Sequence, residues 1–400
     1  MFHPAGRVRR IRESASVAAA QRVRDLKAEG RTILDLTVGE PDFDTPDHIK
    51  AAAVAAMDAG LTKYTAVNGI PPLREAILHR FATRTGLSVD ARNLTIGGGA
   101  KQVIFLALMA SVEAGDEVII PAPYWVSYPD MVLAHDGTPV IVDCPEEDGF
   151  LLSAAQLEQA ITPATKWVIL NAPGNPSGSV YSREQLSELA AVLRRHPQVL
   201  VLADEIYDEI VFGERPMPTL LGVAPDLADR ILSINGVSKA YAMTGWRLGW
   251  GVGEPGLIAA INKLQSQSSS CPSSISQAAA VAALTGDQSF VTTSVASYRR
   301  RRDLFHNLLS DIAGLEPVLP AGAFYLFVRC AGLLGRTTPQ GRLLTSDQDV
   351  VLYLLEEASV ATIQGSAYGV SPYFRCSYAT SESVLTDAAA QIAAAVAALR

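Results

Sequence analysis

A lysine and an arginine that share one short stretch of the sequence could bind a small carbonyl ligand together. Lys239 and Arg247 are eight positions apart, and Lys239 is the sole charged residue between Ile231 and Trp246. A lysine shielded from water has a lowered pKa and becomes a nucleophile for carbonyl groups, while an arginine offers a fixed cation to an anionic group. Because most lysines are simply solvated, this stretch needs support from other parts of the chain.

Polar clusters follow five short apolar runs of the chain. They are GGGAKQ, PAPYW, NAPGNPSG, ADEIYDE and NGVSKAY, the last of which contains Lys239. Ligands of open α/β sheets bind beyond the carboxyl ends of the strands, and these clusters fall there if the runs are strands. One polar loop would be uninformative, since loops are usually polar, but five that converge predict a binding site.

Short β-rich runs alternate with helical segments between residues 90 and 255, and so provide elements that could position these clusters. The runs are Leu94–Ile96, Glu117–Ile120, Trp167–Leu170, Val199–Leu202, Ile231–Ile234 and Leu248–Val252. The alternation predicts an α/β fold with a mostly parallel sheet and helices on both faces. After residue 285 the pattern changes to long helices around the strand-like GAFYLFV and YFRCSYA, which predicts a smaller α+β domain.

Composition and charge exclude several classes of protein. The chain has 400 residues, of which 48% are hydrophobic and 18% charged, so it can bury more than one core and is not a disordered chain. A net charge of −8 argues against a nucleic-acid partner or an anionic membrane surface. Any anionic ligand must therefore meet a few locally placed cations.

The cysteines, the histidines and the N-terminus indicate the compartment and the chemistry. Four widely spaced cysteines suit a reducing cytosol, so we expect a cytoplasmic protein, and six scattered histidines give metal chemistry no support. No stretch approaches the ~18 apolar residues of a membrane helix. The basic MFHPAGRVRRIRES lacks the apolar core of a secretory signal, so we expect it in the mature protein; an amphipathic transit-like segment is the alternative.

Seven short motifs lie in a fixed order along nearly the whole chain. They are VGEPDF, TKYTAVNGIPPLREA, PAPYWVSYP, NPSG, DEIY, SKAYAMTGWR and FRCSYATSE. Together they resemble those of the class I (fold type I) pyridoxal-phosphate aminotransferases, and most closely the bacterial aspartate aminotransferases. A chance match of seven ordered motifs is negligible beside that of one short pattern.

The resemblance implies both an architecture and an activity. The architecture is an N-terminal segment (residues 1–45) packing with the small domain, a large cofactor-binding domain (46–290) and the small domain (291–400). The activity is a ping-pong transaminase using pyridoxal 5′-phosphate and no metal. It would exchange an amino group between aspartate or glutamate and a 2-oxo acid, 2-oxoglutarate or oxaloacetate, and some similar enzymes also accept prephenate.

Carried over by position, the resemblance assigns four residues to catalysis and to the cofactor ring. Lys239 would form the Schiff base and, once freed, act as the general base that moves the substrate Cα proton. Asp204 would keep the pyridine nitrogen protonated, so that the ring accepts electrons. Tyr207 and Asn175 would hydrogen-bond the phenolic oxygen of the cofactor. The bond between Asn175 and Pro176 is also predicted to be cis.

The cofactor phosphate would lie where a strand runs into a helix, since backbone amides at a helix N-terminus bind anions. The residues at this junction are Gly99, Ala100 and Lys101. Arg247 and Ser238 would add a cation and a hydroxyl, although Gly236 stands where the family often has a further hydroxyl. Tyr64 resembles the tyrosine that reaches the phosphate from the neighbouring subunit, which implies a homodimer.

The remaining assignments concern the substrate. Trp125 would stack on the cofactor ring and face the substrate beside Asn175, and Arg375 would clamp the α-carboxylate with help from the backbone of Gly39. Lys101 would bind the distal carboxylate.

Hydroxyls near Lys101 and departures from the family pattern bear on substrate choice. Ser14 and Ser16 would face the distal carboxylate with Lys101, whereas Arg12–Glu13 replaces a Lys-Pro pair and Ala100 replaces a common second glycine. Two alternatives stay open: an aminotransferase for another amino acid, and a pyridoxal-phosphate lyase or cyclase on the same scaffold. A third, a non-enzymatic binding relative that keeps the fold, would be expected to lack the lysine, whereas Lys239 is present.

Overall fold

The computed structural model describes residues 2–213 and 215–400. None of the helices in these ranges has the length and apolarity that crossing a bilayer needs. The strands are β1 (Leu34–Asp35), β2 (Leu94–Gly97), β3 (Glu117–Ala122), β4 (Thr138–Asp143), β5 (Thr165–Asn171), β6 (Leu200–Asp204), β7 (Ile231–Gly236), β8 (Gly249–Val252), β9 (Glu316–Val318), β10 (Tyr325–Arg329), β11 (Val360–Ala361), β12 (Ile363–Gln364) and β13 (Tyr373–Ser377). The α-helices are α1 (Gly6–Arg10), α2 (Ala15–Ala28), α3 (Asp47–Asp58), α4 (Pro71–Thr85), α5 (Ala100–Ser111), α6 (Tyr128–Ala134), α7 (Ala154–Ala160), α8 (Arg183–Arg195), α9 (Leu220–Val223), α10 (Pro255–Ser268), α11 (Ser274–Thr285), α12 (Ser289–Ser310), α13 (Asp347–Glu357) and α14 (Glu382–Ala397).

Seven strands form one sheet in the order β2-β8-β7-β6-β5-β3-β4. Strand β8 runs antiparallel to both of its neighbours, whereas the pairs from β7 to β4 are all parallel. The parallel strands β3, β5, β6 and β7 are apolar runs buried on both faces, because helices cover the sheet on each side. The expected α/β fold with a mostly parallel sheet is confirmed.

The parallel pairing brings the polar clusters together at one edge of this sheet. Asn171, the last residue of β5, lies opposite Asp204, the last residue of β6. Asp204 in turn lies opposite Ile234 of β7, two residues before that strand ends at Gly236. The loops that leave β5, β6 and β7 therefore begin side by side, which places their polar side chains around one space.

A second sheet of four antiparallel strands lies in the C-terminal part of the chain, in the order β12-β13-β10-β9. The N-terminal segment joins this part, because Leu34 and Asp35 of β1 pair in parallel with Val360 and Ala361 of β11. This pairing agrees with an N-terminal segment that packs on the small domain. The domain boundaries at residues 45 and 290 stay a prediction.

Candidate active site

A cavity of about 490 Å³ opens at the carboxyl edge of the seven-stranded sheet and is bordered by β10 and β13 of the second sheet. Twelve of the predicted site residues line it: Ser16, Gly39, Ala100, Lys101, Trp125, Asn175, Asp204, Tyr207, Ser238, Lys239, Arg247 and Arg375. Gly99 is the N-cap of α5, next to the lining residue Ala100. Tyr64 does not line this cavity, and its side chain is 90% exposed.

Lys239 lies just beyond the end of β7, with its ammonium group inside the cavity. Its Nζ donates a hydrogen bond to the carbonyl oxygen of Gly39 and lies 5.7 Å from the ring centre of Tyr207. Burial lowers the pKa of Lys239 to about 8, against the opposing influence of Glu40 and with the help of the nearby Arg375. Although the side chain still reaches the cavity, it is shielded enough to supply a neutral amine near neutral pH.

Asp204 is buried at the end of β6, with 5% of its surface exposed. The Tyr128 hydroxyl donates to its Oδ2 at 2.6 Å, and the Ile206 backbone N–H donates to its Oδ1 at 3.3 Å. Burial raises the pKa of Asp204 to about 6, while these two hydrogen bonds hold it down. The carboxyl group is therefore mostly ionised at pH 7, in a place where it can hold a proton on a ligand.

Tyr207 presents a buried hydroxyl group beside Lys239. Its Oη shares a hydrogen bond of 2.7 Å with the Oη of Tyr325, and its ring packs edge-on against Phe324. Burial, together with the Tyr325 hydroxyl, raises the pKa of Tyr207 well above its ordinary value. The side chain is therefore a neutral hydrogen-bond donor.

Arg375 lies on β13 and is 2% exposed, although its guanidinium group lines the cavity. Nη1 donates to Asn175 Oδ1 at 3.0 Å and Nη2 donates to the carbonyl oxygen of Thr37 at 2.6 Å. The group also lies 4.3 Å over the ring of Tyr325, which fixes its plane. Nε is buried without a hydrogen-bond partner, so the cation retains capacity to bind an anion.

Two glycines allow a close approach between Arg247, β8 and the start of α5. A Cβ on Gly99 would stand 2.6 Å from Arg247 Nη2, and a Cβ on Gly249 would stand 2.2 Å from the backbone nitrogen of Ala100. Arg247 itself has a left-handed φ of +52° and donates from Nη1 to the carbonyl oxygen of Thr244 at 2.9 Å. The N–H groups that open α5 and this guanidinium together form an anion site.

Lys101 extends from the first turn of α5 along the cavity wall. Its Nζ donates to Ser127 Oγ at 3.3 Å and lies 5.0 Å over the ring of Trp125. Burial lowers the pKa of Lys101, and the cation of Arg247 lowers it further. Of the two predicted hydroxyls, Ser16 lines the same cavity, whereas Ser14 is the N-cap of α2 and lies outside the lining.

Three residues of the site were not predicted from the sequence. Tyr128 holds Asp204, Tyr325 holds Tyr207, and Asn171 Nδ2 donates to the carbonyl oxygen of Asp204 at 3.0 Å. Tyr128 and Asn171 lie within the motifs PAPYWVSYP and NAPGNPSG, so the sequence places them near the site. It does not predict their roles, because the hydrogen-bond partner of a side chain depends on tertiary contacts that a sequence pattern does not show. The peptide bond between Asn175 and Pro176 is cis.

Comparison with known proteins places these residues in a family context. The family model of the class I and II aminotransferases matches residues 31–392. The aspartate aminotransferase of Rhizobium meliloti (strain 1021) is 50% identical over 394 residues, which are 98% of this chain and 96% of that protein. An aspartate/prephenate aminotransferase of Cereibacter sphaeroides is 49% identical over 385 residues, 96% of each chain.

Solved structures agree with the sequence comparison. The crystal structure of the Rhizobium meliloti aspartate aminotransferase matches with a TM-score of 0.97 at 49% identity, covering 100% of both chains. The Thermus thermophilus aspartate aminotransferase with maleate matches with a TM-score of 0.91 at 37% identity, covering 99% of this chain and 100% of that one. The likeness therefore extends over both sheets of the fold.

Proposed function

The chain belongs to the class I and II aminotransferases, and on this premise we propose that it exchanges an amino group between aspartate or glutamate and a 2-oxo acid, with pyridoxal 5′-phosphate as cofactor. The observation that carries the proposal is the meeting of Lys239, Asp204 and Arg375 around one cavity. These three side chains offer an amine, a carboxylate and a carboxylate-binding cation, which are the groups that such a reaction needs.

The residues of the cavity fit pyridoxal phosphate. A Cβ on Gly99 or Gly249 would fill the space beside Arg247 and the first amide of α5, so the chain keeps an anion cradle open there for a phosphate. Ser238, which is buried and lines the cavity, would add a hydroxyl. When bound, the cofactor supplies an aldehyde for amines and a ring that accepts the electron pair left at the substrate Cα.

The side chains around the ring would hold protons at defined atoms. The Asp204 carboxylate would keep a proton on the ring nitrogen, and its pKa of about 6 leaves it ionised for that purpose at neutral pH. Tyr207 and Asn175 would donate hydrogen bonds to the phenolic oxygen, and Trp125 would stack on the ring. Lys239 Nζ, with a pKa of about 8, would take the proton from the substrate Cα and return it.

The two ends of a dicarboxylate substrate would meet different cations. Arg375, which donates hydrogen bonds to Asn175 and to the carbonyl oxygen of Thr37 and lines the cavity, would bind the α-carboxylate through its guanidinium group. Lys101, beside Ser127, would bind the distal carboxylate. Both cations are partly or fully buried, so an anion between them is shielded from water and bound more strongly than in solution.

The proposal includes a cytoplasmic homodimer. An exposed Tyr64 that lies outside its own cavity is free to reach the phosphate site of a neighbouring copy. The cysteines Cys144, Cys271, Cys330 and Cys376 are free thiols, which suits a reducing compartment.

A panel of amino donors tests the substrate assignment. Purified holoenzyme is assayed with aspartate, glutamate, alanine, phenylalanine and tyrosine against 2-oxoglutarate and oxaloacetate, with prephenate as a further acceptor because the Cereibacter sphaeroides relative is named for it. We expect the pairs that join aspartate or glutamate to a dicarboxylate acceptor to dominate.

The Lys101→Ser variant is run through the same panel. It should lose about 10- to 100-fold in kcat/KM with aspartate, because an ion pair to a buried cation is removed, and far less with alanine or phenylalanine. Equal losses for all donors would remove Lys101 from the side-chain pocket. Release of ammonia from an amino acid without any acceptor would favour the lyase alternative.

A further inference from the structure

One face of helix α2, which packs against β12 of the second sheet, forms part of the cavity wall. The residues of α2 that line the cavity are Ser16, Ala20, Val23, Arg24 and Lys27. Their spacing of four, three, one and three residues is that of a single helix face. The last two of these residues along the helix, Arg24 and Lys27, are cations, and both are exposed to solvent while lining the cavity.

The charges of Arg24 and Lys27 are not neutralised by carboxylates. Arg24 donates from Nη2 and Nε to the neutral Gln21 Oε1, at 2.6 and 3.1 Å. Among the described residues, neither cation takes part in an ion pair. Asp25, the nearest acid in the sequence, is absent from the lining and accepts a hydrogen bond from Gln21 Nε2 at 2.7 Å.

The cavity as a whole has the opposite charge balance to the protein. Within the described part of the chain, six cations and three carboxylates line it, although the net charge of the protein is −8. The cations are Arg24, Lys27, Lys101, Lys239, Arg247 and Arg375, and the carboxylates are Asp35, Glu40 and Asp204. A cleft lined by one sign of charge, with walls of low dielectric constant, raises the local concentration of ions of the other sign.

We propose that Arg24 and Lys27 form an outer anion subsite that attracts the dicarboxylate substrate into the cavity before Arg375 and Lys101 bind it. This inference rests on the proposed function, since it deepens the account of how that site selects a substrate. The other four cations of the lining are assigned to the cofactor or to the two bound carboxylates, so Arg24 and Lys27 are the pair left without a role there. A doubly charged anion interacts about twice as strongly with this pair as a singly charged one does, which favours dicarboxylates.

The same α2 helix and its neighbour provide a matched control. Arg22 is exposed on another face of α2, Arg9 is exposed on α1, and neither lines the cavity. A double substitution of Arg9→Gln and Arg22→Gln therefore removes the same net charge as Arg24→Gln with Lys27→Gln, but removes it away from the cavity.

The test compares these two double variants with the parent holoenzyme at about 0.01 M and about 0.5 M salt, which differ several-fold in screening length. With 2-oxoglutarate at low salt, the KM of R24Q/K27Q should rise about 3- to 10-fold while kcat stays within about twofold. The KM for pyruvate should rise less, and high salt should remove the difference. R9Q/R22Q should behave like the parent.

Three results would overturn the subsite: an unchanged KM in R24Q/K27Q, an equal rise in R9Q/R22Q, or a rise that high salt leaves intact. Pyridoxal phosphate is also a dianion, so the rate at which apoenzyme takes up the cofactor is measured as well. A slower uptake with an unchanged KM would assign the pair to the cofactor and contradict our proposal.

Calorimetric titration of the holoenzyme with succinate, a dicarboxylate that cannot react, separates this inference from the proposed function. Weaker succinate binding by R24Q/K27Q alone supports the subsite even if the donor panel shows a different reaction. Absence of dicarboxylate transamination in the parent enzyme would contradict the proposed function, whereas equal succinate binding by all three proteins would contradict the subsite.

Discussion

Individual residues of the cavity have pKa values that differ from those of the same residues in water. Burial lowers the pKa of Lys239 to about 8 and raises that of Asp204 to about 6, so near pH 8 a substantial fraction of the Lys239 amine is neutral while the Asp204 carboxylate is ionised. Such opposite shifts in one cavity are typical of sites that transfer protons. Changes to Lys239 and changes around Asp204 should therefore have different, measurable consequences.

Replacing Lys239 by alanine should abolish both the visible absorption of covalently bound cofactor and transamination, because Lys239 Nζ is the amine that lies beside Tyr207, 5.7 Å from its ring centre. Absorption spectra and a coupled assay measure the two effects. The control is K101S, which removes a cationic side chain from the same cavity but should keep the bound-cofactor absorption. Full turnover by K239A would contradict the role given to Lys239.

The hydrogen bond from Tyr128 should tune the carboxyl group of Asp204. The bond favours the ionised form, so Tyr128→Phe should raise the apoenzyme pKa of Asp204 from about 6 by about one unit, since a hydrogen bond to a charged group contributes about 1.5 kcal/mol or more. Cofactor affinity falls as pH drops through this pKa. The inflection in a plot of log Kd against pH should therefore move upward in the variant.

Tyr353→Phe is the matched control for this shift, because Tyr353 also has a buried hydroxyl, which donates to the carbonyl oxygen of Ala395 at 2.8 Å, away from the cavity. An unmoved inflection in Y128F, or an equal movement in Y353F, would show that the hydroxyl of Tyr128 does not control Asp204.

The sequence motifs explain which residues of the site can be predicted from the sequence. Lys239, Asp204 and Arg375 stand inside motifs whose residue types already indicate chemistry. Tyr325 lies in the apolar segment GAFYLFV, where a tyrosine is typical of a strand in the hydrophobic core. Its contact with Tyr207 joins residues 118 positions apart and becomes visible only when β10 packs against the loop after β6.

At the scale of elements, the site depends on how closely β8 approaches the start of α5. Gly249 is the first residue of β8. Because glycine has no Cβ, the backbone of Ala100 can lie against the strand at this position. The N–H groups of α5 and the guanidinium of Arg247 are thereby brought together at one place.

Gly249→Ala should push α5 away from β8, because the new Cβ would stand 2.2 Å from a backbone nitrogen that cannot move alone. Overpacking of this kind costs about 1–3 kcal/mol, so we expect a Kd for pyridoxal phosphate that is about 5- to 100-fold higher and a lower Tm. Fluorescence titration and calorimetry measure them. Gly245→Ala is the control, since a Cβ there meets nothing within 4 Å, and equal effects in both variants would contradict the argument.

The elements that could be predicted were those with a buried apolar pattern. The expected runs in the region of β2, β3, β5, β6, β7 and β8 overlap strands of the structure. Strand β4 was missed because TPVIVD lies at the edge of the sheet and none of its residues is buried, so no buried run marks it. The antiparallel β8 and the pairing of β1 with β11 also depend on contacts distant in sequence.

At the level of the whole molecule, we expect the active protein to be a dimer of two copies of the chain. Tyr64 is 90% exposed and outside its own cavity, so its hydroxyl can serve a phosphate only in a neighbouring subunit. Light scattering should therefore give twice the chain mass of 42.5 kDa.

Tyr64→Phe should raise the Kd for the cofactor about tenfold, because it removes one hydrogen bond to a charged group. A monomer whose Kd is insensitive to Y64F would contradict this arrangement.

A single half-reaction shows whether the enzyme transfers the amino group or releases it. Holoenzyme is mixed with excess L-aspartate and no oxo acid, and oxaloacetate and ammonia are quantified against the number of active sites. A transaminase stores the amino group, so one oxaloacetate per site should form with no free ammonia. Once the unreacted aspartate has been removed by desalting, added 2-oxoglutarate should release one glutamate per site. Continuous formation of oxo acid with ammonia, or no oxaloacetate at all, would contradict the proposed function.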